Sequence, residues 1–342
     1  MASGRWPADC FASAARGFVL FLLAAAPAVA EPVRPGFGVP LDCRPNLDCF
    51  VQNLFDHDAG PGTRDYQCGR LTYNGHTGTD IRVPHLADMS RGVAVLAAAD
   101  GQVRAIRDGM DDVNVRETGQ ESIRHREAGN SVLIDHGGGW ITLYAHMRKG
   151  SVAVVPGARV RKGQKLGLLG LSGNTEFPHL HFEVRHKGKA ADPFSDTGSN
   201  CMPANSLWLP DALATLRYVP TGILGGGFLD HAPTQKEILR GDAAPASADA
   251  AALVFWVNLF GMQAGDEETM TLYTPDGAIA ARATRAVDRD KAQWLTYIGL
   301  KRRAAKWPQG IYRGTYQLKR TSGQESREVL NWATTITLPS SP

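Results

Sequence analysis

Beyond its first thirty residues, the 342-residue chain contains no apolar run long enough to cross a bilayer as a helix, which takes about 20 consecutive apolar residues. It also lacks a basic block. Its 37 lysines and arginines stand against 34 aspartates and glutamates, and the net charge of +3 is spread along the chain. The electrostatic footprint of a nucleic-acid-binding protein is therefore missing, and no nucleic-acid partner is expected. Cysteine is scarce, five residues in all, and none shows the Cys-x-x-Cys spacing of a thiolate metal site. No segment repeats, and the second half holds no constellation of catalytic side chains. Disorder is excluded by the 43% of apolar residues, which is ample for packed cores. The length exceeds one average domain, so two are expected.

The first thirty residues read as a targeting segment. Arg5 and Arg16 make a positive start, Phe18 to Ala26 form a short apolar run, and Ala28-Val29-Ala30 is a small-x-small cleavage site before Glu31. The rival reading is an uncleaved anchor. Cys10 precedes the apolar run and so is not placed for lipidation. A signal peptide over 1–30 implies export to the periplasm or the cell exterior, with no stable membrane insertion after cleavage. Its removal leaves Cys43, Cys49, Cys68 and Cys201, an even count that suggests two disulfides in one of three pairings. The closeness of Cys43 to Cys49 favours Cys43–Cys49 with Cys68–Cys201, the second tying the start of the first domain to its end.

From 79 to 184 the chain alternates short β-type runs with glycine turns. Strands are expected over 79–83, 93–98, 102–106, 131–135, 140–146 and 180–185, without helix-period stretches between them, which argues for an antiparallel all-β domain. The polar, patternless stretch 107–129 reads as a long loop. After Cys201, a connecting stretch around 203–220 leads to strand-like runs over 253–260, 269–273, 294–300, 312–319 and 332–338, and 242–251 reads as a loop. Such spacing fits a small β-sandwich, immunoglobulin-like in kind. The expected organisation is a signal peptide (1–30), a first domain (31–202) and a C-terminal β-sandwich with its leading linker (203–342).

Three segments carry candidate chemistry. In Gly75-His76-Thr77-Gly78-Thr79-Asp80-Ile81, a histidine and an aspartate lie four apart across a glycine-containing bend that feeds a strand. The bend lets both converge on one point, although such a pair by itself is usually solvated surface. In Pro178-His179-Leu180-His181-Phe182-Glu183-Val184, strand alternation puts His179, His181 and Glu183 on one face and Leu180 and Phe182 on the core side. His146 ends the run that begins at Trp140, and a lone strand histidine is more often structural. His136, before a triple glycine, reads as a structural hydrogen-bonding residue. His57, His85, His125, His186 and His231 have no partner at useful spacing, and Trp140 and Tyr144 read as core.

Taken in order, these segments resemble the lysostaphin-type, or LytM-like, zinc endopeptidases of peptidoglycan. The resemblance runs from about Gly75 to Val184. It includes His-x-Gly-x-Asp-Ile at 76–81, Ala-x-x-Gly-x-Val at 98–103, His-Gly-Gly-Gly-Trp at 136–140 and Leu-Tyr-Ala-His at 143–146. Val-Arg-Lys-Gly-Gln at 160–164, Gly-Leu-Ser-Gly-Asn at 170–174 and His-Leu-His-Phe-Glu at 179–183 complete it. It implies a lysostaphin-like catalytic domain of antiparallel sheet, one zinc ion on His76, Asp80 and His181, and His146 and His179 flanking the water and the substrate carbonyl. It further implies a peptidoglycan peptide as substrate. The alternative is a non-catalytic binding module that regulates another wall hydrolase, since some family members serve that way. Glu183 is a candidate partner holding a ligand tautomer. The stretch 107–129 and Glu176-Phe177 fall where family members present substrate-lining loops. The region after Cys201 lies outside the resemblance; it is expected to bind the wall or a regulatory protein partner, or to pack over the cleft.

Overall fold

The computed structural model describes residues 34–195, 201 and 205–339. The signal segment expected over 1–30 and the junction expected at 202–203 lie outside the described residues. None of the described helices is long and apolar enough to cross a membrane.

Among the described residues the first half holds ten strands: β1 (Phe50–Asn53), β2 (Thr79–Arg82), β3 (Ala94–Leu96), β4 (Gly101–Arg107), β5 (Asn130–Gly137), β6 (Trp140–Met147), β7 (Arg159–Val160), β8 (Lys165–Leu168), β9 (His179–His186) and β10 (Lys189–Ala191). The main sheet runs β1-β2-β9-β6-β5-β4-β7, antiparallel throughout, and β10 continues the edge of β9 beyond the end of β2. β3 and β8 form a separate two-stranded ribbon. The period-two pattern explains why these residues make this sheet: Ile81 on β2, Val132 and Ile134 on β5, Tyr144 on β6 and Leu180, Phe182 and Val184 on β9 all point into one core and are fully buried. Each large apolar side chain so buried contributes about 1.5–3 kcal/mol.

Seven strands follow: β11 (Gly222–Leu229), β12 (Ala252–Met262), β13 (Glu267–Tyr273), β14 (Ile279–Ala286), β15 (Lys291–Lys301), β16 (Gly310–Ser322) and β17 (Glu325–Leu338). They form two antiparallel sheets, β11-β12-β15 and β14-β13-β16-β17, which close on a core that includes Phe255, Val257, Leu259, Leu272 and Tyr316. The protein is all-β, as its sequence pattern indicates, with a β-sandwich in its second half. From Arg34 onward the chain is one compact unit. Leu224 of β11 and Phe260 of β12 belong to the hydrophobic cluster of the first half, where Phe260 meets the ring of Phe50 at 6.0 Å.

Sequence pattern and structure differ in places. The stretch 107–129 is not structureless: it holds a helical turn over Val115–Thr118, capped by Asn114, and a 3-10 turn over Gln120–Ile123. β11, Gly-Ile-Leu-Gly-Gly-Gly-Phe-Leu, is not among the strands expected from the sequence. Its glycines are there because aromatic rings occupy the space: a Cβ on Gly226 would lie 2.5 Å from the Trp332 ring, and one on Gly222 would lie 2.6 Å from that of Phe260.

Both disulfides form as favoured from the sequence. Cys43 and Cys49 are six residues apart, and Cys68–Cys201 closes a span of 133 residues with the Cα atoms 5.1 Å apart. The longer bridge removes the greater chain entropy from the unfolded state. Replacing both Cys68 and Cys201 by Ala is expected to cost about 3–5 kcal/mol in denaturant unfolding, whereas Cys43→Ala with Cys49→Ala costs less.

Candidate metal centre

The register between β1, β2, β9 and β6 sets the site. Asn53 pairs with Asp80, Asp80 with His181 and His181 with Ala145, so four strands contribute one row across the sheet. Directly opposed residues on one face stand with Cβ atoms about 5 Å apart. Asp80 and His181 therefore meet because Ile81, Leu180 and Phe182, one position off, are buried on the other face. His76 enters from the bend before β2, where Gly75 takes a left-handed φ of 76°. The Asp56 carboxylate accepts from the backbone amides of Asp58, Arg64 and Gly75, and the Asp56 amide donates to the His76 carbonyl. That network fixes the bend.

Three atoms converge. His76 Nε2 lies 3.1 Å from Asp80 Oδ1 and 3.2 Å from His181 Nδ1, and Asp80 Oδ1 lies 2.9 Å from His181 Nδ1. Ligands about 2.0–2.1 Å from a tetrahedral zinc ion would stand about 3.3 Å from one another, so the triangle fits such an ion. Other polar atoms of the three residues face away and are anchored. His76 Nδ1 donates to the Leu54 carbonyl (2.6 Å), and Asp80 Oδ2 accepts from Asn53 Nδ2 (2.9 Å). His181 Nε2 faces Glu183 Oε2 at 3.4 Å. Glu183 lies where strand alternation places it and is itself held by Thr77 Oγ1 and Arg185 Nε. With an ion bound, these contacts would leave a lone pair on each converging nitrogen for it. Burial opposes the charge on Asp80, but His76 and His179 and the hydrogen bonds from His181 and His76 outweigh it and hold the carboxyl well below its usual range. Burial likewise opposes the charge on Glu183, yet hydrogen bonds from His181 and Arg185 bring it down to about 2.

His146 and His179 stand beside this triangle. The ring of His146 is 4.7 Å from that of His179 and 6.0 Å from that of His181. His179 Nε2 lies 3.5 Å from Asp80 Oδ1. His146, near the end of β6, has a left-handed φ of 59°, and its Nδ1 donates to the Ser172 carbonyl at 2.8 Å. His179 Nδ1 lies 3.0 Å from both the Phe177 carbonyl and Thr175 Oγ1. In both rings the Nδ1–H tautomer leaves the Nε2 lone pair unspent. Burial, reinforced by neighbouring histidines, pushes His146 well below its ordinary value, and burial lowers His179 as well. Both rings are then neutral at pH 7, able to accept a proton and later return it.

All five histidine and aspartate positions singled out from the sequence thus lie in one cluster. Of their anchors, Glu183 is the one the sequence offers in that role; the anchoring roles of Asn53, of the carbonyls of Leu54, Ser172 and Phe177, and of Thr175 are absent from it. Backbone acceptors carry no residue signature; only Ser172 lay in a recognised motif. Four of the five histidines expected to lack a partner have one in the fold. His57 does have a partner, the buried Asp192 at 2.8 Å, 135 positions away and so invisible to spacing. His85 bonds the Ile238 carbonyl, His231 pairs with Asp230 and Glu237, and His186 stacks on Trp140. His136 is structural, bonded to the Asp100 carbonyl and Thr142 Oγ1.

Residues 74–193, which enclose the cluster, match the model of peptidase family M23. That match is to the LytM-like class that the chain's motifs resemble. It is 32% identical over 117 residues to the peptidoglycan DD-endopeptidase ShyB of Vibrio cholerae, a match that covers 34% of this chain and 22% of that relative. Identity to ShyA of the same organism is 33% over 114 residues, 33% of this chain and 21% of the relative. To the cell division protein DipM of Caulobacter vibrioides it is 31% over 122 residues, 34% of this chain and 16% of DipM. The matched segments span about a fifth of the length of these relatives. A solved zinc-containing peptidase from Vibrio cholerae is 27% identical, with 46% of this chain and 40% of that one covered at a TM-score of 0.28.

Gly78 shows how tightly the site is built. A Cβ there would lie 2.7 Å from His181 Cε1 and 2.8 Å from the Phe182 carbonyl oxygen. Gly78→Ala is expected to displace the His181 ring and to destabilise the protein by about 1–3 kcal/mol, measured by denaturant unfolding.

Proposed function

We propose that this protein is an exported zinc-dependent endopeptidase that hydrolyses peptide cross-link bonds of bacterial cell-wall peptidoglycan. The observation that carries this reading is the convergence of His76 Nε2, Asp80 Oδ1 and His181 Nδ1, with the rings of His146 and His179 alongside. A mixed set of two imidazoles and one carboxylate suits a catalytic zinc, which keeps a further position open. When bound, zinc supplies Lewis acidity: it makes water nucleophilic at neutral pH and polarises the scissile carbonyl. The peptidase family match and the DD-endopeptidase relatives support peptide hydrolysis in the wall. The chain is read as a leader over 1–30, a catalytic domain over 31–202 and a sandwich domain over 203–342.

The protein's own side chains do the rest. A neutral His146 or His179, its Nδ1–H tied to a carbonyl, offers Nε2 to take the proton of the attacking water. The imidazolium so formed stabilises the developing oxyanion and returns the proton to the leaving amine. Burial of the cluster strengthens each of these interactions relative to water.

The purified protein is expected to carry about one zinc per chain and to convert cross-linked to uncross-linked peptides in purified sacculi, read by mass spectrometry after muramidase digestion. Chelation should abolish this conversion and zinc should restore it. His181→Ala is expected to lose both zinc and turnover. His146→Ala and His179→Ala should retain zinc and lose turnover by about 100-fold or more. A zinc-loaded protein that binds sacculi without cutting them would instead establish a non-catalytic wall-binding regulator.

A further inference from the structure

Arg82 is among the largest side chains that are fully buried. It lies two residues after Asp80 on β2 and pairs across the sheet with His179, so its side chain leaves the same face as Asp80. No carboxylate among the described residues pairs with its guanidinium. The hydrogen bonds go to neutral oxygens: Gln52 Oε1 at 2.6 Å, the carbonyls of Val83 and Pro84 at 3.2 Å each, and Gln293 Oε1 of the C-terminal sandwich at 3.5 Å. Burial alone pushes the group down to about 9. A buried cation with no counter-charge is costly, and the ring of Phe177 faces it, with its centroid 4.5 Å from the guanidinium carbon. A desolvated cation over an aromatic face is a strong form of that contact.

Phe177 is also what orients His179. Its carbonyl is 3.0 Å from His179 Nδ1, and its ring centroid lies 4.8 Å from that of His179. The turn that carries Phe177 has other supports. Thr175 Oγ1 donates to the Phe177 carbonyl at 2.8 Å, Val115 N to the Thr175 carbonyl and Asn114 Nδ2 to the Glu176 carbonyl, and Arg116 pairs with Glu176. The Arg116–Glu176 pair is exposed and contributes little, and the Phe177 ring itself rests on the buried guanidinium.

We propose that Arg82 is a positioning residue for His179: its guanidinium anchors Phe177, and Gln52 together with Gln293 of the C-terminal sandwich fixes the guanidinium. The sandwich thereby helps set the angle at which His179 meets the site. The expected effect on turnover rests on the proposed endopeptidase activity, whereas the positional claim is read separately.

The test uses the full-length protein with Gln293→Ala, Phe177→Leu, Phe177→Tyr and Arg82→Gln, each checked for zinc content. Hydrogen–deuterium exchange is followed over 173–180, alongside kcat and KM on sacculus fragments. Gln293→Ala and Phe177→Leu are expected to raise exchange in that segment at least threefold. They should lower kcat about threefold to tenfold with KM within twofold and zinc retained. Phe177→Tyr, which keeps the ring, should match the parent. Arg82→Gln should show the largest effect, and the other variants decide the matter if it does not fold. Unchanged exchange in both Gln293→Ala and Phe177→Leu would overturn the proposal whether or not the protein cleaves wall. So would raised exchange with unchanged kcat in an active protein.

Discussion

The antiparallel pairing of β2 with β9 supports everything else in the site. Its register sets Asp80 against His181 and Arg82 against His179, and it turns Ile81, Leu180 and Phe182 to the opposite face. A slip of one residue would exchange the two faces, exposing three large apolar side chains and burying the ligands in the core. Burial of the apolar face, at about 1.5–3 kcal/mol for each large side chain, therefore holds the polar face in place. The geometry of the metal centre is a consequence of hydrophobic packing on the far side of the sheet.

On the polar face the difficulty is reversed, because groups that must stay reactive are kept away from water. Buried polar atoms are costly unless bonded, and the site meets this by anchoring the outward-facing atoms and leaving the inward-facing ones unspent. His76 leans on the Leu54 carbonyl, His146 on that of Ser172 and His179 on that of Phe177. Asp80 keeps one oxygen for Asn53 and directs the other inward. Backbone acceptors suit this role, since they cannot titrate and are held by the sheet and its turns.

The sandwich is not a loosely tethered addition. Leu224 and Phe260 complete the hydrophobic cluster of the first half, and Gln293 reaches the guanidinium beneath Phe177. Lys236, on the short helix Gln235–Arg240, bonds Glu117 in the stretch between β4 and β5. The stretch 107–129 has no pattern of its own, and its helical turns are held by the Asn114 cap and by the buried side chains of Val115 and Ile123.

The sequence by itself determined the all-β character and the membership of the candidate site, and it favoured, among three pairings, the disulfides that form. Alternating apolar residues, glycine turns and spaced histidines are local signals, and local signals survive in a one-dimensional string. What remained hidden was whatever depends on residues distant in the chain. β11 was illegible because its glycines answer to the rings of Trp332 and Phe260 and not to their own neighbours. His57 showed no partner because Asp192 is brought to it only by folding. Asn53, and Arg82 in its role beside the site, carry no motif, and the carbonyls of Leu54 and Phe177 carry no residue identity at all. The ligand types could be read because coordination chemistry selects side chains; their orientation was decided by the tertiary structure, because it rests on backbone atoms and on packing across the sheet.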